Sequence, residues 1–124
     1  MSLVEPYRKV LLVLMRQAPI HNQLDAAHAL CERLQAGLEI VLLGTSRSDK
    51  AMLSAQTGCE AAGLFCRLIE RPEWRAEDVV AWANSRSCVA ALVLAAAERG
   101  STDGAPDPWQ HLACPLVLAG RERY

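Results

Sequence analysis

Six consecutive apolar residues, Val10 to Met15, stand between Arg8-Lys9 and Arg16-Gln17. A run of that kind, without polar alternation, suits a strand covered on both faces in a parallel sheet, and it is read as the central strand. After the loop Ala18-Pro19-Ile20-His21, Asn22 opens a helix, with Asp25 placed for an Asn-x-x-Asp form of the capping box. Leu24, Ala27, Cys31 and Leu34 recur at helical spacing, and Asp25, His28, Glu32 and Gln35 fall opposite them. Gly37 is the expected left-handed stop, and Leu38 to Leu43 follows as a second strand. So long a helical crossover leaves the two strands parallel.

The alternation continues. Gly44 to Ser48 reads as a polar loop, and Ser48 or Asp49 caps a shorter helix through Ala51, Met52, Ala55 and Gln56 to about Gly58. Leu64 to Ile69 is the third expected strand. Pro72 is placed as the first residue of the next helix, with Glu73, Glu77 and Asp78 at its positive end and Val79, Trp82, Ala83 and Arg86 carrying it toward Ser87. Val89 to Ala95 is the fourth strand. Arg99 to Pro108 has linker composition, Pro108 to Leu112 a helical turn or two, and Cys114 to Ala119 is a fifth strand with its proline near the start. The pattern predicts one α/β domain over residues 1–124, with 1–7 as a tail. Its architecture is a three-layer sandwich around a five-stranded parallel sheet.

Composition narrows the function. The 124 residues are 52% hydrophobic but 5% aromatic, so the core is aliphatic, and the formal charge is −1. That balance gives no electrostatic footprint for nucleic acid or an anionic membrane, and neither is an expected partner. Cys31, Cys59, Cys66, Cys88 and Cys114 contain no Cys-x-x-Cys pair, and are read as reduced, mostly buried thiols of a cytoplasmic protein. The apolar run Val10 to Met15 is short for a signal peptide, and the longest run, Cys88 to Ala97, is short for a membrane span.

Chemical motifs are sparse. No Gly-x-Gly-x-x-Gly follows a strand, and no Ser-His-acid set has a signature. A phosphoacceptor receiver would need acids after its first strand, where Arg16-Gln17 stand, an Asp after its third, where Glu70-Arg71 stand, and a Lys after its fifth, where Arg121-Glu122-Arg123 stand. His21, Asp25, His28 and Cys31 are metal-capable, but they divide between the wet and packed sides of the helix, so no metal is expected. His111 with Cys114 reads as packing rather than a nucleophile pair. Arg67, Arg71, Arg75 and Arg86 with Trp74 and Trp82 are interleaved with Glu70, Glu73, Glu77 and Asp78. That mixture reads as a solvated helix face with Trp82 in the core, and Trp74 and Trp109 as partly exposed aromatics suited to an interface.

Four stretches carry a family resemblance. The ending His111-Leu112-Ala113-Cys114-Pro115-Leu116-Val117-Leu118 resembles the Cys-Pro-Val-Leu-Val-Val-like last strand of universal stress proteins. Arg8 to Val13 looks like that family's first strand, Ala36 to Leu43 like its Leu-Gly-Ala-Glu-Leu-x-Leu-Leu second strand, and Glu73 to Leu94 like its third helix and fourth strand. The resemblance implies the sheet order 3-2-1-4-5 of the adenine nucleotide alpha-hydrolase-like fold, with a homodimer through the last strand. Nucleotide-binding members carry an Asp after the first strand and a Gly-x-x-Gly, about nine residues, Gly-Ser/Thr loop after the fourth. Here Met15-Arg16-Gln17 holds no carboxylate. Ala97-Glu98-Arg99-Gly100 keeps Arg99 and Gly100 but replaces the first glycine, and Pro106 and Pro108 remove N–H donors a phosphate would use.

Two readings follow. In the first, the chain is a non-enzymatic, stress-associated regulatory module with a degenerate nucleotide loop, no cofactor and no catalytic residues. It dimerises through Cys114, Pro115, Leu116, Val117, Leu118 and Ala119, because an apolar edge strand must be covered, and a further protein partner is compatible with it. In the alternative, ATP, AMP or another anion is held at the ends of strands one and four by Met15, Arg16, Gln17, Leu43, Arg99, Gly100 and Ser101. Arginines there substitute for lost backbone donors.

Overall fold

A computed structural model describes residues 6–14, 21–43, 57–95 and 108–119. Five parallel strands form one sheet: β1 (Lys9–Leu14), β2 (Gly37–Leu43), β3 (Cys66–Arg71), β4 (Val89–Ala95) and β5 (Leu116–Ala119), in the order β3-β2-β1-β4-β5. Helix α1 (His21–Leu34) links β1 to β2, and α2 (Ala76–Asn84) links β3 to β4. The architecture is the expected one. Every residue of β1 and β2 is buried, as central strands between two helical layers must be.

Side-chain alternation divides the core in two. Val10, Leu12 and Leu14 join Leu38, Ile40 and Leu42 on one face, beneath Ala27 and Cys31 of α1. Leu11 and Val13 join Val41, Leu43, Leu92 and Leu94 on the other, beneath Val79, Val80 and Ala83 of α2. The short 3-10 turn Pro108–His111 adds Trp109 to this second cluster. Asn84 holds that turn in place: its amide nitrogen donates to the His111 carbonyl at 2.8 Å, and its carbonyl accepts from the Ala113 N–H at 2.7 Å. Trp109 is therefore buried, not the exposed aromatic expected from its place after the linker.

Several boundaries differ from the sequence pattern for local reasons. The left-handed residue that ends α1 is Gln35, at φ 54°, and the Ala36 N–H donates to the Cys31 carbonyl at 2.9 Å, a Schellman closure. Gly37 instead begins β2, where a Cβ would lie 2.8 Å from Phe65 Cδ2, so the glycine is required by close packing. Residues 57–61 are helical, past the stop expected near Gly58; Gly63, at φ 87°, ends them while the Leu64 N–H donates to the Cys59 carbonyl at 2.9 Å. This closure uses Leu64, so β3 starts at Cys66 and runs on to Arg71. The earlier part of that helix, from Ser48 to Gln56, lies outside the described residues.

Pro72 does not start α2. It occupies a turn in which the Trp74 N–H donates to the Arg71 carbonyl at 3.1 Å, and α2 starts at Ala76. The Asp78 carboxylate accepts the Arg75 N–H at 2.8 Å, so the cap is supplied from within the helix. At the other end Ser85 caps α2, and Arg86 lies beyond it rather than in it. β5 likewise starts at Leu116, with Cys114 and Pro115 leading into it.

Arg86 leaves the helix for a specific partner. Glu39, in β2, is fully buried on the α2 side of the sheet. Arg86 donates Nη1 to its Oε1 at 2.7 Å and Nη2 to its Oε2 at 3.3 Å, and Arg67, its register neighbour on β3, approaches Oε2 at 3.5 Å. The bidentate fork satisfies both carboxylate oxygens, which a buried charge demands. Removing one partner of such a pair leaves a charge stranded in the core. Arg86→Ala is expected to lower the unfolding free energy by about 3 kcal/mol in a urea titration, whereas the paired change Glu39→Leu with Arg86→Leu should recover most of that loss. A loss below about 0.5 kcal/mol for Arg86→Ala, the level of an ordinary surface change, would contradict this role for the pair.

Candidate functional site

The sheet order reverses between β1 and β4. α1 and α2 cover opposite faces, and from the adjacent carboxyl ends of β1 and β4 the chain goes on in opposite directions, through α1 to β2 on one side and to β5 on the other. In an open α/β sheet this divergence is where a ligand crevice forms. The strands stay paired up to it, with Val13 opposite Leu94. Leu43 ends β2 beside this point, buried on the α2 face.

Of the residues expected to hold a nucleotide, Leu43 alone is described. Met15, Arg16, Gln17, Arg99, Gly100 and Ser101 lie outside the described residues; Met15 follows Leu14 directly in sequence, and Arg99 comes soon after Ala95. One residue near the divergence has no place in the sequence reading. Gln23, in the first turns of α1, is only 5% exposed. Its signal was its spacing: Gln23, Ala27 and Cys31 form an i, i+4, i+8 row on the packed side of the helix.

The arginine and tryptophan constellation is brought together, but largely with itself. Trp74 and Trp82 meet edge to face, centroids 5.5 Å apart and planes at 64°. The Arg86 guanidinium lies 4.5 Å from the Trp82 ring and the Arg71 guanidinium 5.5 Å from that of Trp74. Arg67 stacks on Phe65 at 5.4 Å while reaching Glu39. Trp82 is half-buried rather than in the core, because one side packs on the α2 cluster and the other carries Arg86.

The candidate outer edge is β5. It pairs with β4 through Leu92 to Ala95 and ends the sheet order, with Leu116 and Val117 half-buried and Leu118 40% exposed.

The thiols are set for packing. Cys31, Cys59 and Cys66 share the α1-side core cluster and are free. Burial pushes Cys31 and Cys66 up to about 12, and it raises Cys59 despite a hydrogen bond with Cys66 that acts the other way. Burial also raises Cys114, opposite to what a thiolate nucleophile beside His111 requires.

Neither a family model nor a curated protein matches the sequence. Solved structures do match. A universal stress protein from Archaeoglobus fulgidus superposes with a TM-score of 0.64 at 14% identity, covering 92% of this chain and 94% of its own. The fold is that of universal stress proteins. A member of that family from Burkholderia pseudomallei gives 0.56 at 24% identity, covering 90% and 95%. The Archaeoglobus fulgidus protein in complex with dAMP gives 0.61 at 15%, covering 91% and 97%.

Thiol burial fixes a pH dependence. In the unfolded chain a thiol ionises near 9.0, whereas folded Cys31 and Cys66 hold their protons to about 12. Above the unfolded value the unfolded chain binds fewer protons than the folded one, so stability falls as pH rises from about 9 toward 12. Urea unfolding between about pH 7 and pH 10 should show that decline, and Cys31→Ala with Cys66→Ala should flatten it. Equal slopes in the variant and the parent would contradict the assignment.

Proposed function

We propose that this chain is a non-enzymatic, stress-associated regulatory module that binds an adenine nucleotide at the β1/β4 divergence and dimerises through β5. The observation that carries the ligand reading is the match, along nearly the whole chain, to a universal stress protein in complex with dAMP. The departures of this sequence shape the expectation. With Met15-Arg16-Gln17 in place of an acid, and prolines at 106 and 108, the grip on a long phosphate chain is weaker than in a glycine-rich loop. Arg16 and Arg99, with Gly100 and Ser101, supply charge and donors for one phosphate instead. AMP is therefore favoured over ATP.

The dimer has its own support. β5 is a short apolar strand with an exposed Leu118 and, among the described residues, no strand pairs with its outer side; a second copy of β5 would cover both the edge and the apolar area. Cys114 and Pro115, which lead into the strand, would border that interface.

Each half is measurable. A thermal-shift titration with AMP, ADP and ATP should raise the melting temperature, most with AMP; at about 100 times the dissociation constant the stabilisation amounts to about 2.7 kcal/mol. No shift at millimolar nucleotide would remove the ligand reading. Light scattering should give a dimer at micromolar concentration, and Leu118→Lys should convert it to monomer without loss of stability. A monomeric parent protein would overturn the dimer.

A further inference from the structure

Gln23 is a buried polar group without an evident structural purpose. Its residue is 5% exposed, and no hydrogen bond joins its carboxamide to another described residue. Burying an amide without a partner costs on the order of 1–3 kcal/mol, enough that a purely structural position would favour leucine or alanine there. Just below it on the same helical row stand Ala27 and Cys31, both closed into the aliphatic core. Gln23 breaks that row only at its upper end, where α1 begins and the core meets the ends of β1 and β4.

The location gives the amide a reason. The row Gln23, Ala27, Cys31 faces the sheet, and on that face the last core positions of the two diverging strands are Leu14 and Val93. A carboxamide at the head of this row borders the crevice from the α1 side. It offers one donor and one acceptor in a plane, which match the amine and adjacent ring nitrogen of adenine. Apolar neighbours such as Leu14 suit the faces of a purine.

We infer that Gln23 is the base-reading residue of the nucleotide site, its carbonyl accepting from the adenine amine and its NH₂ donating to the adjacent ring nitrogen. This rests on the nucleotide reading above and adds a base specificity to it.

The test compares AMP with purine riboside 5′-monophosphate, which lacks the exocyclic amine, on the full chain by isothermal titration. The parent protein should prefer AMP by about tenfold, the value of one good hydrogen bond. Gln23→Leu, which keeps the volume and removes the unpaired amide, should melt at or above the parent temperature without ligand while binding the two nucleotides equally. If both proteins bind AMP with the same preference, or the parent shows no preference, the base-reading role is wrong and the nucleotide site stands. If the parent binds neither compound, the nucleotide reading itself fails and this inference falls with it.

Discussion

A buried carboxylate near the amino end of β2 ties together three separate segments of the described chain. Glu39 lies between the strand that neighbours β1 and the α2 layer, and its two oxygens are held by Arg86 from the α2–β4 turn and by Arg67 from β3. The ion cluster thus joins an edge strand, an inner strand and the segment that feeds β4. Hydrophobic contact is tolerant of sliding, whereas a bidentate guanidinium is not. Arg86 also carries Trp82 on its face, and through it Trp74, so the orientation of α2 is coupled to the same charge.

That arrangement separates the two ends of the sheet. At the amino ends, Glu39, Lys9 and the glycine at 37 make close, fully formed contacts, among them the packing of Phe65 against Gly37 and the Tyr7 to Ser87 hydrogen bond of 2.7 Å. At the carboxyl ends of β1 and β4 the chain leads off in opposite directions, and the one deeply buried polar side chain described there is Gln23, without a described partner. An end that is satisfied holds the fold, and an end with polar capacity left over is where binding energy can still be gained.

The scaffold was legible in sequence because its signals are local. Uninterrupted apolar runs such as Val10 to Leu14 and Val89 to Ala95 identify parallel strands, and one helix between two of them fixes their direction. Boundaries were less legible where tertiary contacts decide. Gly37 looked like a helix stop, but Phe65, distant in sequence, is what requires it, and Gln35 accepts the left-handed conformation because Ala36 closes back on Cys31. Pro72 looked like a helix start, yet Asp78 supplies the cap for Arg75 three residues later.

The site was harder to read for a related reason. Arg16 and Arg99 are singled out by sequence position alone, each following a strand within a few residues. Glu39 and Gln23 are single polar residues inside otherwise apolar patterns, and a lone exception to a pattern does not declare whether it is paired. Burial and hydrogen bonding separate them: Glu39 is satisfied on both oxygens and belongs to the scaffold, whereas Gln23 is buried at the start of α1 with no hydrogen-bond partner among the described residues. The cost of burying an amide without a partner, which would select against it in a core, is what a ligand's hydrogen bonds would offset in the site proposed above.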